Sequence, residues 1–399
     1  MNILFVTLGQ IDSINERGIY PDLLRKFRDE GHDVTVVTPV QRRLKVDTNI
    51  KKANGATILQ VKTLNITKTN IVEKGIATLA IEYQFLSAIK KYLDDIKFDI
   101  VLYSTPPITF AKVIEYVKKR DGAYSYLLLK DIFPQNAVDM KMMRSGGVMH
   151  RMFEKKERKL YKLSDSIGCM SPANVDFILK YNPWILPSKV EVNPNTIEPA
   201  EINYSEEEKT NVRTKYGVPT DKKVLVYGGN LGKPQGLDFL LETIERTDNK
   251  DAFFLIVGDG TEYGKLKSWF DTNKPQNAIL LQRLPKDDYD TLLAACDVGL
   301  IFLDRNFLIP NFPSRLLSYL EMGMPVLAAT DPNTDIGTII ENNGCGFKVL
   351  SGNQDEMQYK LNKLLASDLK QLGENAKQLL MKEYQVERSY GLIVEKVRK

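Results

Sequence analysis

Short apolar runs closed by Gly, Pro or Asn alternate with longer amphipathic stretches along the whole chain. Ile3–Leu8 reads as a buried strand. Tyr20–Glu30 carries apolar positions at helical spacing and stops at Gly31, and Asp33–Thr38 is the next strand. That triplet is a βαβ unit. Strands follow at Thr57–Val61, Asp99–Tyr103, Ala123–Leu129, Ser166–Met170 and Lys189–Val192. Helices are expected at Glu73–Leu93, Phe110–Lys119, 148–163 and Asn174–Tyr181. A polar stretch at 197–221, interrupted by prolines, breaks the alternation and marks a domain boundary. The same alternation then restarts. Strands are expected at Lys223–Tyr227, Ala252–Val257, Ala278–Leu281, Val298–Leu303, Met324–Ala329 and Gly346–Val349. Helices are expected at Leu237–Arg246, Tyr263–Phe270, Tyr289–Ala295, Ile336–Asn342 and near 387–398. The fold class is therefore α/β, with two doubly wound parallel-sheet, Rossmann-like domains.

Length and composition agree with that division. A chain of 399 residues exceeds one ordinary domain, and 43% hydrophobic with 27% charged residues is globular composition. Three widely spaced cysteines and two histidines, with no Cys/His cluster, argue against a structural zinc site and suit reduced thiols. His32 reads as structural and His150 as a surface residue. The N-terminus lacks the basic region of a signal peptide, and no apolar stretch approaches the ~20 residues of a membrane span. A cytoplasmic protein is the expectation. The net charge of +4 is uneven: residues 1–199 carry 30 basic and 22 acidic side chains, and residues 200–399 carry 25 and 29. The excess concentrates at 141–162, with eight basic and two acidic residues. Met149, Met152, Phe153, Leu160 and Leu163 fall on one helical face there. The segment suits either an anionic membrane surface or a solvated helix packed on its domain. No aromatic stacking motif accompanies it, so nucleic acid is not expected as a partner.

Ligands of open parallel sheets sit at the carboxyl ends of the strands, and several unusual loops occupy those positions. Gly228–Gly236 lacks side chains at four positions, which lets its backbone approach a diphosphate, while Lys233 supplies positive charge. In the run Ile309–Ala328, Pro313 suits a first helical turn, and Leu316, Leu317 and Leu320 follow helical spacing. Gly323 and Pro325 end the helix. Free N–H groups at its start, with Ser314 and the planar fork of Arg315, suit a phosphate or diphosphate. Arg283 follows a strand, as either a phosphate ligand or a surface residue. Asp131 ends a buried strand in Lys-Asp-Ile-Phe-Pro, as an acid/base group or as a cap for the next helix. Thr105-Pro106-Pro107 is a rigid turn.

The run Ile-Pro-Asn-Phe-Pro-Ser-Arg at 309–315, with the Gly-rich turn and the Asp131 turn, resembles retaining GT-B glycosyltransferases of glycosyltransferase family 4. The likeness is greatest to bacterial colanic-acid, O-antigen and capsule (fucosaminyl-type) enzymes. The resemblance covers nearly the whole chain. It implies an acceptor domain at 1–197, a nucleotide-sugar domain at 198–385 facing it across a cleft, and a helix at 386–399 crossing back to the first domain. It implies transfer of a sugar from a UDP-sugar to a lipid-linked or nascent glycan, with no metal or other cofactor. The protein would be cytoplasmic, and peripheral on the inner face of the membrane. Donor contacts would come from Arg17, Gly18, Gly229, Asn230, Lys233, Gln235, Arg283, Asn311, Phe312, Pro313, Ser314 and Arg315. The catalytic roles fall to Asp131, Lys233 and Arg315, and the acceptor side to Thr105, Pro106 and Asp131. The chain departs from the family pattern in four places. Asn230 and Gln235 stand where an Arg and a Lys are usual, and Pro310 and Ser318 replace two glutamates. Glu321, one turn later, is the candidate for the lost ribose contact, and otherwise a plain helix-end residue. A nucleotide-sugar epimerase and a non-catalytic glycosyltransferase-like partner are the alternatives. The missing GxGxxG in the first turn argues against a nucleoside-dependent dehydrogenase.

Overall fold

The computed structural model describes residues 1–65 and 71–398, so Lys399, the last residue of the expected C-terminal segment, lies outside them. The chain divides into two compact units, Met1–Glu198 with Gln385–Lys399, and Pro199–Tyr384.

Unit 1 runs β1 (Asn2–Val6), α1 (Ile19–Asp29), β2 (Asp33–Gln41), β3 (Asn49–Ala53), β4 (Ala56–Thr63), α2 (Ile71–Tyr92), β5 (Ile100–Ser104) and α3 (Ala111–Asp121). It continues with β6 (Tyr124–Leu129), α4 (Gln135–Asp139), α5 (Val148–Leu163), β7 (Ser166–Cys169), α6 (Pro172–Tyr181) and β8 (Val190–Val192). Its sheet has the order β3-β4-β2-β1-β5-β6-β7-β8. All pairs are parallel except β3 with β4. The β3–β4 hairpin was not anticipated. Its strand Asn-Ile-Lys-Lys-Ala is too polar to stand out, but the Asn54-Gly55 turn, with φ of 53° and 77°, is the signal a hairpin needs. The inner strands are buried on both faces, as parallel strands covered by helices must be.

Unit 2 runs α7 (Glu206–Lys215), β9 (Lys223–Asn230), α8 (Leu237–Arg246), β10 (Ala252–Asp259), α9 (Tyr263–Asn273), β11 (Ala278–Gln282), α10 (Lys286–Ala294) and β12 (Val298–Phe302). It closes with α11 (Arg315–Glu321), β13 (Val326–Thr330), α12 (Ile336–Asn342), β14 (Gly346–Leu350), α13 (Gln354–Leu365) and α14 (Leu369–Leu379). The sheet order is β11-β10-β9-β12-β13-β14, all parallel. The last helix, α15 (Val386–Arg398), belongs to unit 1 and packs on α1. Tyr390 stacks edge-on against Phe27 at 5.0 Å and bonds the Nε2 of His32 at 3.0 Å. His32 also meets the chain's N-terminal amine at 3.2 Å, a structural role.

The order of unit 2 reverses between β9 and β12, and that reversal opens a crevice at their carboxyl ends. The β9–β12 ladder stops after Gly299 and Val226, although β12 stays paired with β13 through Phe302. Tyr319 of α11 enters at that point. Its hydroxyl lies 3.2 Å from the carbonyls of both Val226 and Leu300 and accepts the N–H of Gly228 at 3.3 Å. The ring lies flat on Gly299, where a Cβ would come within 2.4 Å of it. Gly299→Ala therefore forces Tyr319 out of its place. We expect a stability loss of about 1–3 kcal/mol, read as a lower urea midpoint at unchanged denaturant slope. An unchanged midpoint would show that the ring has room to yield.

Candidate active site

β9 delivers a buried Tyr227 and then the glycines of its loop to the crevice. A short 3-10 turn at Lys233–Gln235 ends at Gly236, which has φ of 55° and would bring a Cβ within 2.7 Å of the Leu303 carbonyl. Only glycine fits there. The Asp304 N–H bonds the Pro234 carbonyl at 3.0 Å, so the loops after β9 and β12 are fastened together.

Arg315, the first residue of α11, sits where these loops meet. Its guanidinium lies over the Tyr227 ring at 4.2 Å. Nη2 donates to Gln235 Oε1 at 2.6 Å, and that same oxygen lies 3.1 Å from the Tyr227 hydroxyl. Nη1 is shielded from solvent and has no hydrogen-bond partner. No carboxylate pairs with Arg315 among the described residues. The surrounding phenols do not compensate it either. Burial holds Tyr319 up at about 12, and it also raises Tyr227 and Tyr289, against the lowering effect of Arg315. All three stay neutral and act as hydrogen-bonding walls. A desolvated cation without a counterion and with an unsatisfied N–H is costly unless an anion completes it.

Lys233 is exposed at the rim and makes no ion pair among the described residues, and Asn230 is exposed beside it. The expected donor residues Lys233, Gln235 and Arg315 are thus brought together. The others are spread more widely. The Asn311 carbonyl accepts from the Thr334 hydroxyl at 2.7 Å, and Phe312 stacks on Tyr384 with ring centroids 6.2 Å apart. Pro313 and Ser314 precede the helix rather than open it. Their carbonyls accept the N–H groups of Leu316 and Leu317, and Ser314 makes no side-chain cap. With seven residues in α11, the charge of Arg315 outweighs the helix terminus. Arg283 is exposed after β11, an edge strand two places from β9. Glu321 requires a correction. It ends α11, about 9 Å along the axis from Arg315, and its Oε1 accepts the Ala200 N–H at 2.9 Å. Its carboxylate fastens the chain entering unit 2, and it does not stand at the crevice. Tyr227, Tyr319 and Tyr289 are the residues that sequence reasoning missed. The available signal was a tyrosine closing an apolar strand just before Gly-Gly. A cavity of about 640 Å³ lies at the opposite, amino ends of β9, β10 and β12, bordered by Lys223, Asp251 and Asp297. It is on the wrong edge of the sheet for a ligand of this fold.

In unit 1, Thr105 Oγ1 accepts the N–H groups of Lys130 at 3.0 Å and Asp131 at 3.1 Å, tying the ends of β5 and β6 together. Pro106 follows in a cis-bonded Thr105-Pro106-Pro107 turn. Both carboxylate oxygens of Asp131 accept from Asn136 Nδ2 at 2.8 Å. Burial raises the Asp131 pKa and this hydrogen bond opposes it. Arg17 is exposed in the loop after β1. Gly18 donates its N–H to Asp22 at 2.9 Å, and Arg25 holds the carbonyls of Ile14 and Glu16 at 2.6 Å each. His150 also departs from expectation: it is buried, 6% exposed, with Nδ1 3.3 Å from the Gly146 N–H. Lys130 precedes Asp131 at the end of β6. Its Nζ donates to the Asn193 carbonyl at 2.9 Å, and burial pulls its pKa from 10.5 down to about 7. Between those two values the unfolded chain binds the proton and the folded chain does not, so stability attributable to Lys130 rises with pH. Lys130→Met should be more stable than the parent near pH 7, with the gap closing as pH approaches 10.5. Urea midpoints across that range measure it, and a constant gap contradicts it.

Comparison with known proteins falls on these same elements. Residues 208–379 match the family Glycosyl transferases group 1. The chain is 23% identical over 330 residues to the probable glycosyltransferase WbjE of Pseudomonas aeruginosa, covering 79% of this chain and 78% of that protein. It is 23% identical over 359 residues to the putative colanic acid biosynthesis glycosyl transferase WcaI of Escherichia coli K12, covering 86% of each. The structure of Anabaena Alr3699/HepE in complex with UDP superposes with a TM-score of 0.69 at 14% identity, covering 100% of both chains. Two parallel-sheet units of GT-B architecture, a glycosyl transferases group 1 domain in the second of them and relatives named as glycosyltransferases together support a transferase enzyme.

Proposed function

We propose that the protein transfers a sugar from a UDP-sugar to a lipid-linked or nascent glycan acceptor in bacterial surface polysaccharide synthesis, with retention at the anomeric carbon. The observation that carries the donor side is Arg315: half-buried, without a carboxylate partner among the described residues, and holding a solvent-shielded, unsatisfied Nη1 at the switch point of the sheet. When the bond to the sugar breaks, negative charge grows on the departing diphosphate. A guanidinium already fixed by Gln235 and Tyr227 stabilises that charge without reorganising, and Lys233 adds a second positive charge from the rim. These two side chains take the place of a metal ion, so transfer proceeds without one. UDP as the nucleotide is supported by the HepE complex, and a polysaccharide product by the likeness to WcaI, a putative colanic acid biosynthesis glycosyl transferase. On the acceptor side, Asp131 takes the hydroxyl proton, its basicity increased by burial.

A membrane-borne acceptor is supported by unit 1. Met142, Val148, Met149 and Met152 are between 38% and 88% exposed. They are interleaved with Lys141, Arg144, Arg151, Lys155 and Lys156 around the start of α5. Apolar side chains among cations suit the surface of an anionic bilayer. No helix among the described residues is long and apolar enough to cross one.

Incubation with UDP-, GDP- and dTDP-sugars and bacterial lipid extract should release nucleoside diphosphate from a UDP-sugar, undiminished by EDTA. Arg315→Ala should reduce that release by roughly 10²–10³-fold. Release abolished by EDTA, or unaffected by Arg315→Ala, contradicts the donor-side account. The protein should sediment with vesicles containing phosphatidylglycerol and not with pure phosphatidylcholine. The double change Val148→Asp and Met149→Asp should abolish this, and retained binding contradicts the membrane surface.

A further inference from the structure

Unit 1 contains a further concavity, and of its lining only Lys155 belongs to the membrane-facing surface described above. It is a groove of about 460 Å³ between α5 and α6, bordered at one end by Ile132 and Pro134 of the loop after β6. That loop begins with Asp131, so the groove adjoins the carboxyl end of the sheet. The volume lies in the range of small-ligand sites.

Its chemistry is mixed in a way that narrows the ligand. Gln135 donates its amide to Asp139 at 2.7 Å, and Asn182 donates its own to the Ile178 carbonyl at 3.2 Å. Each side-chain carbonyl is left as an acceptor at the groove. Glu157 accepts from the Tyr161 hydroxyl at 2.8 Å on one oxygen only, and burial pushes its carboxyl up to about 7. Near neutral pH it therefore both donates and accepts. Arg158 stands over the Trp184 ring at 5.1 Å, and Tyr181 is 58% exposed although its ring packs on Phe177. Glu154 and Glu157 oppose an anion, and Lys155 and Arg158 oppose a cation. An apolar chain would strand the three polar acceptors. A neutral ring with hydroxyl groups on its edge and an apolar face satisfies all of them, and that is a sugar.

We propose that this groove binds the terminal sugar of the glycan acceptor. The inference deepens the transferase reading and rests on it for the word acceptor. Trp184 and Trp269 are the chain's two tryptophans, so Trp269→Phe leaves Trp184 as the sole reporter. This protein is titrated with the methyl glycosides of glucose, galactose, N-acetylglucosamine and rhamnose while its fluorescence is followed. At least one glycoside should give a saturable change. Tyr181→Ala and Glu157→Gln, each with unchanged circular dichroism, should weaken its Kd by about tenfold or more. No saturable change with any of the four, or a Kd untouched by both variants, overturns the proposal. Nucleoside diphosphate release by the same protein is measured alongside. Turnover without glycoside binding removes the groove and leaves the transferase reading intact. Glycoside binding without turnover leaves a sugar site and removes the reading it was attached to.

Discussion

The site in unit 2 depends on a half-buried cation that has no counterion among the described residues and whose Nη1 is shut off from water. Arg315 rests on Tyr227 and is pinned by Gln235, and one of its nitrogens has nothing to bond. Folding alone does not reward such an arrangement, because replacing one partner or omitting it leaves the desolvation cost in place. The stability of the surrounding sheet supports it. The apolar residues of β9, β10 and β12 are buried, and their contacts hold the crevice at the reversal of strand order. On the proposed function, the free energy invested there would be recovered when a diphosphate binds, and recovered further as that diphosphate gains charge.

The tyrosines explain why the crevice keeps its shape. Tyr319 separates two strands that would otherwise continue to pair, and Gly299 is the vacancy its ring needs. Tyr227 offers its ring face to Arg315 and its hydroxyl to the loop, 3.1 Å from the Asn230 carbonyl. Asn230 and Gln235 stand where the family pattern has basic residues, so the loop after β9 keeps Lys233 as its cation and Arg315 at the start of α11 supplies the other. Gln235 keeps a part in the site as the acceptor that orients the guanidinium. A neutral side chain at that position is compatible with anion recognition because the charge comes from across the crevice.

Much of the fold was legible in the chain itself, for a physical reason. Parallel strands buried on both faces are continuous apolar runs, and Val298–Phe302 or Val326–Thr330 cannot be mistaken. The edge strand β3 has one polar face and few apolar residues, so only its Asn-Gly turn announces it. At the site, Arg315 was readable from its run because a fork of charge beside a Pro-Ser loop has few structural uses. Glu321 was misread. Helical spacing puts it on a suitable face, but spacing does not tell how far a short helix carries a residue from the ligand or which backbone group claims it. Tyr319 and Tyr227 were invisible as site residues for a related reason. Their roles depend on which strands become neighbours, which local pattern does not encode.

The central claim is that the β9–β12 crevice is a diphosphate site centred on Arg315. Calorimetric titration with UDP and with UMP, on the parent protein and on Arg315→Met, tests it most directly. The account predicts that the parent binds UDP about tenfold or more tighter than UMP, and that the two nucleotides become nearly equivalent in Arg315→Met. Equal affinities in the parent, or a preference for UDP that survives the substitution, would contradict it.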